Sequence, residues 1–173
     1  MKDKTILIYK SRTGFTKGYA GMIAKETGCD LAELQNAKAE SLTHYQTIIF
    51  GSRLHAGRID GLSKAKSIFQ QSGAKHFILF AVGAMPNTAE EAIAEMWKNN
   101  LSAEETERIP HFYMQGGLSY ERMGFIDKTM MKAAAAIMSR RSNDEVFKKM
   151  ISQSYDISSE EYIKPLTNLL KDD

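Results

Sequence analysis

Two nearly unbroken apolar runs limit what this chain can fold into. Thr47-Ile48-Ile49-Phe50 and Phe77-Ile78-Leu79-Phe80-Ala81-Val82 are apolar at successive rather than alternate positions. A strand with both faces apolar must be covered on both sides, which is the pattern of a parallel sheet flanked by helices. Thr5-Ile6-Leu7-Ile8-Tyr9 reads the same way. Periodicity places strands at 4–10, 29–34, 46–51, 76–83 and 109–115, alternating with helices at 15–27, 61–72, 88–99, 123–139 and 159–171. Strict alternation of this kind implies a doubly wound, three-layer α/β sandwich around five parallel strands. The chain, with 173 residues and 43% hydrophobic content, is long enough for one well-cored domain and short for two, so 1–173 is read as a single domain.

Charge and cysteine usage remove several function classes. A net charge of +2 from 23 basic and 21 acidic residues creates no global field, so no nucleic-acid partner is expected. The single cysteine, Cys29, has no partner for an internal disulfide, and no signal-peptide pattern precedes the first strand; a cytoplasmic protein is expected. Cys29 reads as a buried structural thiol. No span approaches ~18 uninterrupted apolar residues, so no membrane crossing is expected. His44, His76 and His111 have neither metal-ligand spacing nor cysteine neighbours, and no metal is assigned.

In open α/β sheets, ligands sit outside the carboxyl ends of the strands, at the topological switch point. That rule selects three loops: Ser11-Arg12-Thr13-Gly14-Phe15-Thr16, Gly51-Ser52-Arg53-Leu54-His55-Ala56-Gly57-Arg58 and Gly83-Ala84-Met85-Pro86-Asn87-Thr88. The first leads from a buried strand into a helix. Helix-start N–H groups and the hydroxyls of Ser11, Thr13 and Thr16 suit a phosphate monoester held without metal, and Gly14 permits a tight turn. No G-x-x-x-x-G-K-[ST] or G-x-G-x-x-G is present, which removes the magnesium-nucleotide loop and the dinucleotide fingerprint. The plainer alternative is an ordinary strand–turn–helix with a Ser or Thr cap.

Ser11-x-Thr13-Gly14-x-Thr16, Gly51-Ser52 after the third strand and the Gly83 loop after the fourth together resemble the flavodoxin family. Two further stretches are similar to the menaquinone-dependent protoporphyrinogen oxidases within it. One is Ile49-Phe50-Gly51-Ser52-Arg53-Leu54-His55-Ala56-Gly57; the other is Gly116-Gly117-Leu118-Ser119-Tyr120, followed by Met123-Gly124-Phe125-Ile126-Asp127-Lys128-Thr129-Met130-Met131-Lys132. The resemblance implies a flavodoxin-like sandwich of strand order 2-1-3-4-5, with a helical insertion at about 116–145 after the last strand. It implies FMN, with its phosphate at Ser11, Arg12, Thr13, Gly14, Phe15 and Thr16. The isoalloxazine would lie between Ser52, Arg53, Leu54, His55, Ala56 and Gly57 on one side and Gly83, Ala84 and Met85 on the other. Two departures stand out: neither ring loop carries a Trp or Tyr to stack on the flavin, and Arg12 puts a cation in the phosphate loop.

Arg53, His55 and Arg58 are expected as a cationic cluster beside the ring, with Arg53 and His55 the candidate catalytic residues and His55 the proton handler. Ile126, Met130, Ala133, Ala134, Ile137 and Met138 form a helical stripe beside Lys128, Lys132, Arg140 and Arg141. Its expected place is against the core, with peripheral contact between 123–141 and an anionic membrane, or docking of a quinone or partner, as alternatives. Ser139-Arg140-Arg141-Ser142-Asn143-Asp144-Glu145 reads as a polar loop. Trp97 reads as packing. The leading function is an FMN-dependent oxidoreductase passing electrons from a small-molecule substrate such as protoporphyrinogen to a quinone. The alternatives are a soluble flavodoxin-type electron carrier, an NAD(P)H-dependent flavin or quinone reductase, and a fold that has lost FMN.

Overall fold

The computed structural model describes residues 4–141 and 152–172. Strands β1 (Thr5–Lys10), β2 (Asp30–Glu33), β3 (Thr47–His55), β5 (His76–Gly83) and β6 (His111–Gln115) form a parallel sheet in the order β2-β1-β3-β5-β6. A two-residue strand, β4 (Arg58–Ile59), pairs antiparallel with the end of β3. Apart from that short arm, the order is the expected 2-1-3-4-5. Leu7 pairs with Ile49 and Ile49 with Ile78, so the three apolar runs form the centre of the sheet.

Alternate residues of those runs feed two cores. Ile8, Ile48, Phe50 and Leu79 pack with Leu62, Ala65 and Ile68 of α2 (Leu62–Ser72) and with Met96 and Trp97 of α3 (Glu90–Asn100). Leu7, Ile49, Ile78 and Phe80 pack with Tyr19, Ala20 and Ile23 of α1 (Phe15–Thr27) and with Leu166 of α6 (Lys164–Asp172). Each fully buried Ile, Leu or Phe contributes about 1.5–3 kcal/mol. Because the strands are parallel, β1, β3, β5 and β6 all deliver their carboxyl ends to one edge of the sheet. Trp97 is buried and its ring meets that of His111, which fits packing. Cys29 packs half-buried against the α1 core, and burial pushes its thiol pKa up.

Several expectations are corrected. β3 continues through Gly51 to His55, because Ser52 and Arg53 still pair with Ala81 and Val82 of β5; residues 51–58 are a hairpin and not a loop. An additional helix, α4 (Ala103–Arg108), starts at Ser102, where a capping box with Glu105 satisfies the helix-start amides in both directions. The insertion is not wholly helical: β7 (Gly117–Leu118) pairs antiparallel with β8 (Tyr155–Asp156) before α5 (Phe125–Arg141) begins. Ser139, Arg140 and Arg141 continue α5 instead of entering a loop, and the rest of that polar stretch, 142–145, lies outside the described residues. The expected closing helix opens as a 3-10 turn, Glu160–Ile163, that runs into α6. The stripe on α5 does not face the core, since Ile126, Met130 and Ile137 are 72%, 55% and 53% exposed.

Candidate functional site

The turn from β1 into α1 leaves the start of the helix without a side-chain cap. Gly14 takes φ +99°, a conformation that a side chain would strain, and it caps α1 while offering no side-chain hydrogen bond to the helix start. Its N–H donates to Ser11 Oγ at 3.2 Å, and its carbonyl accepts from Gly18 N–H at 2.9 Å. With Thr13 and the buried Thr16, the uncapped first-turn amides form a cradle at the positive end of the helix dipole whose groups could hold an anion's oxygens.

Next to the cradle is a cavity of about 270 Å³. Thr13, Phe15 and Thr16 line its α1 end, Arg53, Leu54, His55 and Ala56 one side, and Val82, Gly83 and Ala84 another. Ala56 and Gly57 make the two-residue turn between β3 and β4 with φ of +49° and +76°, the type I′ pattern. A non-glycine residue at positive φ is strained, and here the end of α3 holds it in place. Asn100 Nδ2 donates to Gly57 O at 2.8 Å and Asn100 Oδ1 accepts from Ile59 N–H at 2.8 Å. On the opposite wall, Tyr113 Oη donates to Met85 O at 2.8 Å and Tyr155 Oη to Ala84 O at 3.4 Å, which fixes the turn after β5.

The insertion supplies the remaining wall. Leu118, Met123, Met130 and Met131 face the cavity, together with Asp127. The Asp127 carboxylate, 13% exposed, gathers three side chains: Arg12 Nη1 at 3.1 Å, Arg53 Nη1 at 3.3 Å and His55 Nε2 at 3.3 Å. Desolvation would raise its pKa, but the charges of Arg12, Arg53 and His55 outweigh it and hold the carboxyl below its ordinary value. Arg53 also reaches back to Asp60 through Nε at 3.4 Å, and Asp60 takes Lys10 Nζ at 2.7 Å. Asp60 follows the same balance, with desolvation overcome by Lys10 and Arg53. An ion-pair chain thus runs from β1 through β3 into α5.

These contacts redirect part of the expected site. Arg53 and His55 are beside the cavity, but as partners of Asp127 and not as an uncompensated cationic cluster. Arg58 leaves the cluster, because its Nη1 donates to Asn99 O at 2.5 Å. Ser52 is fully buried and donates to Asp60 O at 2.6 Å, so its hydroxyl braces the hairpin. Met85 packs against the α3-side core, and Gly57 forms the turn. Ser11 and Gly14 shape the cradle, while the Arg12 guanidinium turns to α5. Sequence reasoning missed Asp127, quoted only within a motif, and Arg122, whose Nη1 donates to Thr13 O at 3.2 Å. No group of three or more possible metal ligands occurs among the described residues.

A family model for the flavodoxin domain matches residues 6–145. The chain belongs to the flavodoxin domain family. No curated protein sequence matches it. It is similar to the solved structure of a flavodoxin from the domain Archaea, at 16% identity over 80% of this chain and 97% of that one, with a TM-score of 0.41. It is also similar to a flavodoxin, WrbA-like protein from Agrobacterium tumefaciens, at 18% identity over 80% and 98% of the two chains, with a TM-score of 0.42. A flavoprotein in complex with FMN from Lactobacillus acidophilus matches at 16% identity over 65% and 92%, with a TM-score of 0.44. Family membership supports FMN as the cofactor of this flavodoxin domain, and its residues fit that group. The uncapped start of α1 and its hydroxyls suit the phosphate, and the adjoining cavity, walled by Phe15, Leu54, Ala84 and Met131, suits a flat ring.

Proposed function

We propose that this flavodoxin domain is an FMN-dependent oxidoreductase that moves electrons from a reduced small molecule to a quinone, in the manner of the menaquinone-dependent protoporphyrinogen oxidases. Bound FMN would supply the electron chemistry, and the chain positions the reactants. Thr13 and Thr16 hold the phosphate end, and Leu54, Ala56 and Ala84 flank the ring. Leu118, Met123, Met130 and Met131 close the side and exclude water. His55, oriented through Nε2 by Asp127, is the group placed to take or return a proton as the substrate is oxidised and the quinone becomes a quinol.

The observation that carries this reading is the apolar wall contributed by the insertion. It would enclose the ring on the side of α5, where an electron carrier needs only an open flavin edge. The near-neutral chain also lacks the strong net charge that steers carriers to their partners. The exposed Ile126, Met130 and Ile137, bordered by Arg140, give a lipophilic quinone or an anionic membrane face a place to approach. Among the described residues no helix is long and apolar enough to cross a membrane, so that approach is peripheral.

Adding protoporphyrinogen without oxygen to FMN-loaded protein tests the reading. Bleaching of the flavin band that recovers with a menaquinone analogue is the expected result; flavin that stays oxidised removes this donor. A WrbA-like or NAD(P)H-dependent reductase is the second reading, supported by the same cradle and family membership. It gains if NADH bleaches the flavin and protoporphyrinogen does not. A flavodoxin-type electron carrier gains if neither does and a partner protein exchanges single electrons with the flavin.

A further inference from the structure

The phosphate loop and the insertion interlock through two arginines, each lying against a glycine of the other segment. Arg122 of the insertion crosses over Gly14, where a β-carbon would stand 2.7 Å from its Nη1; Arg12 of the loop crosses over Gly124, where a β-carbon would collide with its Nη2. The two arginines do not have equal charge left to offer. Arg12 is paired with Asp127, whose carboxylate is shared with Arg53 and His55. Arg12 is also the one full charge that the loop of residues 11–16 carries. A bound phosphate monoester, close to a dianion at neutral pH, therefore meets hydroxyls, helix-start amides and a cation whose guanidinium is already turned to a carboxylate.

Arg122 is placed to supply a second cation. Its Nη1 donates to Thr13 O at 3.2 Å, inside the cradle, and a guanidinium has five donors in a fork that matches phosphate oxygens. The neighbouring carboxylate of Glu121 is engaged by Ser154 Oγ at 2.6 Å and Ser119 Oγ at 3.4 Å. The backbone that carries Arg122 is a tight turn in which Arg122 N–H and Met123 N–H both donate to Ser119 O at 3.2 Å. The turn leads directly into α5, and so into the wall of the cavity.

We propose that Arg122 is a second cation of the phosphate site: its guanidinium binds the phosphate of FMN and ties closure of the insertion to that phosphate. The inference rests on the FMN reading above and adds to it a residue that discriminates FMN from riboflavin, which has the same ring and no phosphate. Loss of Arg122 leaves the ring walls intact, so it weakens the phosphorylated flavin alone.

Fluorescence titrations of wild type and Arg122→Gln with FMN and with riboflavin, at low ionic strength, test it. A single charge-assisted contact at an exposed site gives a loss of roughly tenfold in FMN affinity, and riboflavin affinity stays unchanged. Retained riboflavin binding also shows that the variant is folded. In hydrogen exchange, FMN protects the amides of residues 119–131 more than riboflavin does in wild type, and the two flavins protect them equally in Arg122→Gln. Equal weakening of both flavins makes Arg122 a structural brace and overturns the proposal, as does FMN binding that does not change. Wild-type protein that binds neither flavin removes the FMN reading and this inference with it.

Discussion

The sheet with its flanking helices and the insertion after β6 use apolar residues in opposite ways. In the sheet, Leu7, Ile8, Ile49, Phe50 and Phe80 are fully buried, and the helices close over them. In the insertion, Phe125, Ile126, Met130 and Ile137 are 87%, 72%, 55% and 53% exposed, and attachment comes through Asp127 and the short β7–β8 pairing. The sheet is therefore held by burial, which is non-directional and not screened by salt. The insertion is held by a few directional contacts, which salt, acid and ligand can shift. A segment attached in that way can form a cavity wall and still move to admit a reactant.

The largest expected contrast comes from removing one apolar side chain on each side of that divide. Phe80→Ala should cost about 3–5 kcal/mol in a denaturant melt, because the ring is fully buried between β5 and α1. Ile126→Ala should stay within about 0.5 kcal/mol, because the side chain is in solvent. Comparable losses from both would mean that the α5 stripe is covered in solution. Next in size is Ser52→Ala, which strands the Asp60 carbonyl behind the hairpin and should cost about 1–3 kcal/mol in the same melt.

Sequence made the sheet legible, and the limits of that reading follow from how each signal is encoded. The apolar runs carry their burial on successive residues, so a parallel sheet covered on both faces emerges without long-range information, while the strand order came from the family resemblance. The α4 capping box was also visible, as Ser102 and Glu105 at helix-start spacing, and went unread because few apolar residues follow it. The hairpin at 51–58 was hidden because its turn is Ala56-Gly57, and Ala is not a residue that announces positive φ. Asp127 was unreadable as the centre of the site. Its partners Arg12, Arg53 and His55 lie far away in sequence, and one carboxylate at the start of a helix reads as an ordinary dipole partner. Arg122 was missed for the same reason: its contact with Thr13 spans 109 residues.

Smaller effects should appear in the insertion alone. Asp127→Asn should leave the global unfolding midpoint nearly unchanged while speeding amide exchange across residues 119–131, with β5 amides as the internal reference. A lowered midpoint with no local change would make Asp127 part of the body. The acid response follows from the same carboxyl. Its folded-state pKa is below the ordinary 3.8, so the stabilisation it gives is complete above that value and is lost as pH falls through the folded value. Exchange in 119–131, taken relative to the intrinsic amide rate at each pH, should therefore stay level above pH 3.8 and rise below it, and the rise should be absent in Asp127→Asn. A rise that persists in the variant would assign the acid response to another group.

The claim that the insertion walls the flavin chamber can be tested most directly by methionine footprinting with peroxide and mass spectrometry, with and without saturating FMN. Met123, Met130 and Met131 line the cavity, whereas Met22 on α1 does not. The account predicts that FMN slows oxidation of Met123 and Met131 most and Met130 in part, and leaves Met22 unchanged. Oxidation of all four at the same rates with FMN bound would place the flavin away from the insertion and contradict the account.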